Sequence, residues 1–268
     1  MTAALRRYAE IYSIMVRNSL IRDMSFKANF LLWMAVELLW FLGQIVFIEV
    51  IFSYTSSIGG WTKWEMVLLI GTHQVISQLF QALFFMNVSN IPELVRTGKM
   101  DFLLMLPVDA QFAASVKQFG LDSLVNVGVG LAFVATALWK LGVMPTAGQF
   151  VLYLVCIGCG VAVHYGVMLA LAACSFWIVR AEGLIHGYFS LLSIGRYPDV
   201  IYTGVFKFVF SWVLPVILVA NVPARVLAKA ADSPGWSVLQ LLAVTAAMLL
   251  ATRAVWMSAV RSYGSASS

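Results

Sequence analysis

The second long apolar stretch of this 268-residue sequence carries six polar residues within three helical turns. They are Thr72, His73, Gln74, Ser77, Gln78 and Gln81. At helical spacing residues 74, 78 and 81 lie on one face, and residues 73 and 77 lie next to it. Polar groups are costly in hydrocarbon, so these side chains must face protein or water. They predict either the wall of a translocation path or interhelical hydrogen bonds that hold a bundle together.

Carboxylates and amides also occur in two other apolar stretches. Glu37 and Gln44 share a face of the first, and Asp122 and Asn126 share a face near the start of the third. An ionisable residue inside a membrane is a functional candidate, and a salt bridge to Arg or Lys at the same depth is the alternative. For Glu49 and Asp122, both near helix ends, we favour the salt bridge. The candidate path residues are Glu37, Gln44, His73, Gln74, Ser77, Gln78, Gln81, Asp122 and Asn126.

Enzyme signatures are absent from the sequence. It contains no P-loop, no GxGxxG after a strand, no HExxH and no GxSxG. Cys156 and Cys159 form a CxxC, but they lie inside an apolar stretch, where a structural zinc would lack a second ligand pair. The three histidines are scattered. We therefore expect no catalytic residue, no metal site and no cofactor bound by this chain.

Composition explains why these polar groups need a bundle of helices. Residues of the apolar and aromatic classes make up 62% of the chain and charged residues only 11%, which excludes a soluble globular domain. Because the apolar stretches are uninterrupted, an alternating β-barrel is excluded as well. Six stretches have the roughly 20 residues that a span needs. They are 28–52, 64–86, 112–139, 150–178, 201–220 and 236–256. A seventh run, 183–194, is too short and predicts an interfacial or re-entrant helix.

Charge predicts the orientation of the spans. With six spans, 13 basic residues fall on the side of the termini and four on the other side. Basic residues near short loops stay cytoplasmic, so we expect both termini inside the cell and need no nucleic-acid partner. Residues 1–27 predict a helix on the membrane surface, since Leu5, Tyr8, Tyr12 and Met15 share an apolar stripe. The chain would then be one domain, 1–268, with a six-helix bundle at 28–258 and a cytoplasmic tail at 259–268.

Small residues recur at intervals of four in two spans, and such stripes let helix backbones approach closely. They are Gly158, Ala162, Gly166, Ala170 and Cys174 in the fourth span, and Ala243, Ala247 and Ala251 in the sixth. They predict helix neighbours, either within the chain or in a second subunit, and they say nothing of a substrate.

Three loop motifs give the sequence a family resemblance. Residues 90–107, NIPELVRTGKMDFLLMLP, resemble the ELIRTGxLDFLLLxPV loop of a six-span permease family among the type-2 ABC exporters. Residues 195–202, GRYPDVIY, are similar to its RYPxxIY motif, and 222–227, VPARVL, to its FPARxLL motif, except that Val222 replaces the aromatic residue. The resemblance extends over nearly the whole chain, in order. It implies structural roles for Arg196, Tyr197, Pro198, Tyr202, Pro223 and Arg225.

The resemblance implies an all-α membrane permease with an elbow helix, a cytoplasmic coupling helix and short outer helices before the last span. It implies a multi-pass protein of the bacterial cytoplasmic membrane that works by alternating access, and the class implies an exporter. Two copies of a cytosolic ABC ATPase would bind ATP and Mg²⁺, and a second permease, identical or homologous, would complete the core. Arg196–Tyr202 is expected in the second inside loop, as a joint before the fifth span.

The first inside loop is the predicted coupling site. Pro92 fits the first turn of a short helix and Gly98 fits its end. Glu93, Arg96, Lys99 and Asp101 would offer charged contacts to the ATPase, residues 102–106 would lie in the membrane interface or against the spans, and Pro107 would stop the run. An amphipathic loop held by lipid headgroups is the alternative.

Two other function classes stay open. An ATP-independent secondary transporter or channel would depend on Glu37 or Asp122. A membrane scaffold would tolerate leucine on the polar face of the second span. Substrate and the identity of the second permease are left open by the sequence.

Overall fold

The computed structural model of the chain describes residues 10, 12–19, 21, 27–178, 181–228 and 235–264. Within that part the fold is helical, and its one β pairing is an isolated bridge between Ile58 and Trp61. Residues 12–19 are helical and form α1. The other helices are α2 Lys27–Tyr54, α3 Lys63–Phe80, α4 Met86–Val88, α5 Ile91–Arg96, α6 Met100–Leu104, α7 Ala110–Ser115, α8 Leu121–Leu141, α9 Ala147–Ala173, α10 Glu182–Leu192, α11 Gly204–Phe208, α12 Val216–Ala228 and α13 Gly235–Ser262.

The bundle has two ends, which we call the Trp61 end and the Asp109 end. The Trp61 end holds the links α2–α3 and α8–α9, and there the Lys140 ammonium of α8 lies 5.7 Å from the ring centre of Trp64. The Asp109 end holds the long link between α4 and α8, where Tyr165 of α9 contacts the side chains of Gln111 and Ser115. Long helices α2, α3, α8, α9 and α13 run between these ends.

By length and composition alone, up to six segments of the described chain could cross a membrane if the bent pair Gly204–Val213 and Val216–Ala228 counts as one span, and five of them are single long helices. They correspond to the predicted first, second, third, fourth and sixth spans. The third begins at Leu121 rather than at Phe112, because Asp109 caps a separate short helix, α7, that ends at Ser115. The second continues α3 through a widened π turn, Gln81–Phe85, whose Ala82 carbonyl accepts the amide of Gly120 at 2.9 Å.

The predicted fifth span is wrong. The segment 182–200 crosses the bundle instead, because its contacts move in order from one end towards the other. Tyr188 bonds His164 in the half of α9 nearer the Asp109 end, and the Leu192 carbonyl meets His73 in the middle of α3. Val200 then lies against Gly59 at the Trp61 end. Here the chain is helical over α10 and a 3₁₀ turn, Ser193–Arg196, so the run predicted to be interfacial or re-entrant is most of a crossing.

Residues 201–220, predicted to be that span, belong to a hairpin that enters from the Trp61 end and returns to it. α11 continues as a π turn, Val209–Val213, and its axis meets that of α12 at 82°. The bend lies at Leu214 and Pro215, since proline lacks an amide hydrogen and breaks the helical ladder. α12 starts deep in the bundle, where Val219 faces Gly160 of α9, and brings Arg225 over the ring of Trp61.

This correction moves residues 196–202 out of the predicted second inside loop, and the described chain still crosses the bundle six times. Arg196 lies within the crossing and Lys207 at the Trp61 end. Among the basic residues that the structure describes, seven lie at the Asp109 end and four at the Trp61 end, whereas the sequence predicted 13 against four over the whole chain. The direction of the asymmetry is unchanged. Both ends of the described chain lie at the Asp109 end: Ser19 of α1 accepts the Phe119 amide, and Tyr263 packs on Phe176. That this end is cytoplasmic stays a prediction from charge.

Helix packing depends on close backbone approach at α3 and α8. A side chain on Gly130 would place its Cβ 3.1 Å from the Val75 amide nitrogen, and one on Gly71 would meet the Val134 nitrogen at 3.1 Å. In the predicted fourth-span stripe, Gly166 packs against α13 and its carbonyl accepts the Thr252 hydroxyl at 2.9 Å. The alanines of the sixth-span stripe are exposed on the surface of the single chain.

Candidate functional site

The predicted polar face of the second span divides into two groups. Gln78 donates a hydrogen bond from Nε2 to Glu37 Oε2 at 3.3 Å, and Gln74 bonds the same carboxylate. Asp122, in the first turn of α8, is close enough to act on Glu37 electrostatically. Glu37 is half-buried, and in the described part of the chain no ion pair joins it to a cation. The structure thus brings four predicted residues together between α2, α3 and α8.

The other group faces the crossing segment. His73 is buried, and its Nε2 lies 2.8 Å from the Leu192 carbonyl oxygen of α10. Ser77 is also buried, and its hydroxyl has no hydrogen-bond partner among the described residues. This contact favours the packing interpretation for His73, since the carbonyl is a fixed protein partner. Of the remaining candidates, Asn126 is buried, while Gln44 and Gln81 are half-buried.

Glu49 forms a salt bridge, which was the alternative to a functional role for an intramembrane carboxylate. Its carboxylate pairs with the Lys63 ammonium at 2.5 Å, across the link at the Trp61 end. The salt-bridge interpretation holds for this residue, as the sequence favoured. For Asp122 no such pair is seen among the described residues, so that expectation is not supported there.

The short helix predicted to start near Pro92 is present as α5, and its coupling role stays a prediction. Pro92 lies in its first turn, and Gly98, with φ of 70°, follows its end in the left-handed region that glycine adopts readily. Glu93 and Arg96 form an ion pair with each other along the helix, with Nε–Oε2 at 3.0 Å. One face of the short helix is buried through Ile91 and Pro92, so the charged pair points away from the bundle.

α6 exposes apolar side chains beside this charged helix. Met100 and Leu103 are buried, while Phe102 is 68% exposed and Met105 is 71% exposed. Residues 102–106 are therefore divided: some pack against the spans and others lie on the surface, and the sequence had predicted either position for the whole run. Lys99 and Pro107 are exposed, and Asp101 is half-buried. We call the half-buried Glu93 and the exposed residues Arg96, Lys99, Phe102 and Met105 the loop face.

Sequence reasoning missed the link that ties this loop to the last helix. Arg253 of α13 donates from Nη2 to Asp109 Oδ2 at 2.7 Å and from Nη1 to the Gln111 amide oxygen at 2.7 Å. Asp109 also caps α7 by accepting the Phe112 amide at 3.1 Å. Burial opposes ionisation of Asp109, but the hydrogen bonds from Arg253 and Phe112 outweigh it and lower the pKa of the carboxyl. The sequence did carry a signal for the cap, because Asp is a preferred N-cap residue and Asp109 directly precedes a helical run.

The two remaining family motifs meet each other at the Trp61 end. Asn221 of α12 accepts the Asp199 amide at 2.9 Å and donates to the Tyr197 carbonyl at 3.0 Å. Arg225 pairs with the Asp199 carboxylate, and the Tyr202 hydroxyl donates to the Ile194 carbonyl at 2.9 Å. Residues 197–202 connect the fifth crossing to the hairpin at the Trp61 end, whereas residues 196–202 were predicted as a joint in the second inside loop, before the fifth span.

That joint involves the other motif residues directly. Pro198 is buried and gives the extended backbone that ends the crossing, while Pro223 lies inside α12. Arg196 is half-buried, and its Nε has no hydrogen-bond partner in the part of the chain that the structure describes. Asp199 and Asn221 were not singled out by the sequence, because a lone amide inside an apolar run gives no indication of its partner.

The residue types that bind metals are spread over the bundle. Within the described ranges, no three His, Cys, Asp or Glu side chains are placed to share a metal ion. Cys156 is buried and Cys159 half-buried in α9, both as free thiols. What the arrangement offers is a polar strip inside a helical bundle and a charged, partly apolar loop at one end of it.

Comparison with known proteins identifies one family. The family described as ABC-2 family transporter protein matches residues 38–267, which is most of the chain and includes the polar strip, the loop face and the joint. Neither the curated proteins nor the solved structures gave a match.

Proposed function

The chain belongs to the ABC-2 transporter family, and on that premise we propose that it is an exporter permease driven by a separate cytosolic ATPase. Membership makes it a multi-pass membrane component of an ABC transporter. The proposal adds the energy source, two ATPase copies that bind ATP and Mg²⁺, and a location in the bacterial inner membrane. The observation that carries it is the loop face, a surface of charged and apolar side chains at the basic end of the bundle.

The loop face has the chemistry of a protein-docking surface. Arg and large apolar residues are enriched at protein interfaces, and exposed apolar side chains next to charge are typical of a contact with a partner. Glu93 and Arg96 already neutralise each other, so docking would not bury an unpaired charge. The buried residues Ile91 of α5 and Met100 of α6 fix these short helices to the bundle. A displacement of the loop would therefore also displace the spans.

Movement at the loop has a direct route to the last helix. Asp109 joins the start of α7 to Arg253 of α13, and Tyr165 of α9 bonds Gln111 and Ser115 of the same segment. Closure of the ATPase dimer on ATP binding would displace the loop. Through these contacts α9 and α13 would move with it, which is the mechanical requirement of alternating access.

The polar strip is the proposed wall of the path. Glu37, Gln74, Gln78 and Asp122 supply two carboxylates and two amides on three neighbouring helices. Carboxylates without a cationic partner among the described residues need water or cargo to solvate them. A second permease, identical or homologous, would complete the path. The exposed alanines of α13 and the weakly buried apolar face of α2 offer surfaces for it or for lipid.

Copurification with a designed pair of variants tests the proposal. We would purify the tagged chain from its host in mild detergent, identify its partners by mass spectrometry and assay ATPase activity. In the double variant Glu93→Arg, Arg96→Glu the mutual ion pair can reform, but a partner meets inverted charge. We expect the ATPase subunit in the wild-type sample and its loss from this variant.

The matched control inverts an equivalent pair at the other end of the bundle, Glu49→Lys with Lys63→Glu. It should retain the ATPase. Loss in both variants would place the docking surface elsewhere. A chain that purifies alone, without an ATPase even after crosslinking, would refute the ABC proposal and favour the ATP-independent transporter that the unpaired carboxylate Glu37 would serve.

A further inference from the structure

A cavity of about 430 Å³ lies at the Trp61 end, between the hairpin and the start of α13. Its volume is in the range of roughly 300–1,000 Å³ that is usual for small-molecule sites. It is separate from the polar strip and from the loop face, and the permease proposal does not use it. Its lining combines charge with aromatic surface, and each of these features restricts the kind of ligand.

The charged part of the lining has more cations than carboxylates. Arg225 pairs closely with Asp199, and this contact uses the one described carboxylate of the cavity. The Lys207 ammonium lies 3.8 Å from Asp199 Oδ2, beyond hydrogen-bond distance, and its side chain is 43% exposed. The Nε of Arg225 is buried and has no hydrogen-bond partner among the described residues. The described lining therefore carries a net positive charge and spare donors, which suit an anion.

Three aromatic side chains of the lining are exposed at the surface. Phe208, Trp212 and Trp236 line the cavity and are 60%, 47% and 71% exposed. Tryptophan is enriched where a membrane meets water, because its ring is apolar and its N–H is polar. The Trp61 end is such a boundary, since the links between spans lie there. A ligand that satisfies both parts has an anionic head at Lys207 and an apolar body along the two tryptophans.

We propose that this cavity binds the phosphate headgroup of an anionic membrane lipid. Lys207 is the principal contact, because Arg225 is already engaged by Asp199. The lipid tails would lie between the hairpin and α13, against Trp212 and Trp236. Since both walls must stay together to hold the lipid, occupancy would tie the re-entrant hairpin to the last span. The inference rests on the cavity alone and does not depend on the proposed function.

Native mass spectrometry of the purified protein, with its partners when they copurify, tests this site. Phosphatidylglycerol and phosphatidylcholine with the same acyl chains would be added at equal concentration. We expect more bound phosphatidylglycerol than phosphatidylcholine. Lys207→Gln should lower phosphatidylglycerol binding about fivefold, because one basic contact at a membrane surface has about that effect, and Lys207→Arg should retain it.

Lys140→Gln is the matched control, since it removes a lysine from the same end that lies over Trp64 and Trp139 rather than in the cavity. It should leave binding unchanged. Equal loss in both variants, or no loss with Lys207→Gln, would overturn the proposal. Sodium phosphate at the lipid concentration should not displace the lipid, because it lacks the apolar body. Displacement by it would show a site for free phosphate and would overturn the lipid assignment.

Discussion

Asp109 performs two separable tasks, and substitutions can distinguish them. Its Oδ1 caps α7 through the Phe112 amide, while its Oδ2 pairs with Arg253. Asparagine caps a helix as well as aspartate does, so Asp109→Asn removes the charge and keeps the cap. Asp109→Ala removes both. The two variants therefore measure the ion pair and the cap in turn.

The expected magnitudes follow from exposure and capping. The Asp109 and Arg253 side chains are 38% and 44% exposed, so solvent screens the pair and its contribution is about 0–1 kcal/mol. Loss of an N-cap costs about 1 kcal/mol. We expect Asp109→Asn to lower the unfolding free energy by at most about 1 kcal/mol and Asp109→Ala by about 1–2 kcal/mol. In a chain of this size, about 1 kcal/mol corresponds to roughly 2–4 °C in Tm.

Lowering the pH should separate the contribution of the ion pair from that of the helix cap. The pKa of Asp109 is lowered in the folded chain, so the ion pair stabilises the fold at a pH above the usual carboxyl pKa. That contribution is lost as the pH falls through the lowered value. The difference in Tm between wild type and Asp109→Asn should thus stay constant between about pH 7 and pH 5 and shrink only below the ordinary Asp range near 4.

Thermal unfolding in detergent, followed by tryptophan fluorescence, measures these differences. Arg253→Gln should lower Tm at least as much as Asp109→Asn, because it also removes the hydrogen bond to Gln111. The double variant should be no less stable than Arg253→Gln, since the ion pair is removed only once. Arg261→Gln, an exposed cation in the last turn of α13, is the control and should have no effect. The reasoning is refuted if Asp109→Asn lowers Tm as much as Asp109→Ala, because the cap would then contribute nothing.

Two further predictions concern packing and the path. Gly195→Ala would place its Cβ 2.6 Å from a backbone carbonyl oxygen of α12, so we expect a loss of about 1–3 kcal/mol by the same assay, whereas Gly183→Ala has open space and should be neutral. In a chain whose native cysteines are replaced, Glu37→Cys should react with a charged thiol reagent at least about tenfold faster than Leu39→Cys, because a thiol in hydrocarbon stays protonated. Equal rates would show that Glu37 does not line a water-filled path.

Local pattern was sufficient for the long helices and for α5. A run of apolar residues long enough to cross the bilayer is helical whatever its neighbours, because every backbone polar group must be satisfied within the segment. Pro92 and Gly98 likewise fix the start and end of α5 through their own backbone preferences. The resemblance in three motifs predicted the family that residues 38–267 match.

The fifth crossing was predicted wrongly because length and apolarity excluded the segment that crosses and selected a segment that does not. The segment 182–200 is short and contains His186 and Arg196, so it did not resemble a span. It is stable in the bundle because residues of α3 and α9 form hydrogen bonds with its polar groups, as His73 does with the Leu192 carbonyl. Residues 201–220 were apolar enough to resemble a span, although Pro215 was a visible signal for the bend.

Sequence by itself determined that this chain is a helical membrane protein of its family, with a polar strip in its second span and a short capped helix in its first long loop. Only the tertiary structure decided which polar groups meet. It separated Gln78, which bonds Glu37, from His73, which bonds α10, and it paired Asp109 with Arg253 and Asp199 with Arg225. The physical reason is distance along the chain. Helix formation depends on neighbours within four residues, whereas these contacts join residues 26 to 144 positions apart, where only packing sets the distance.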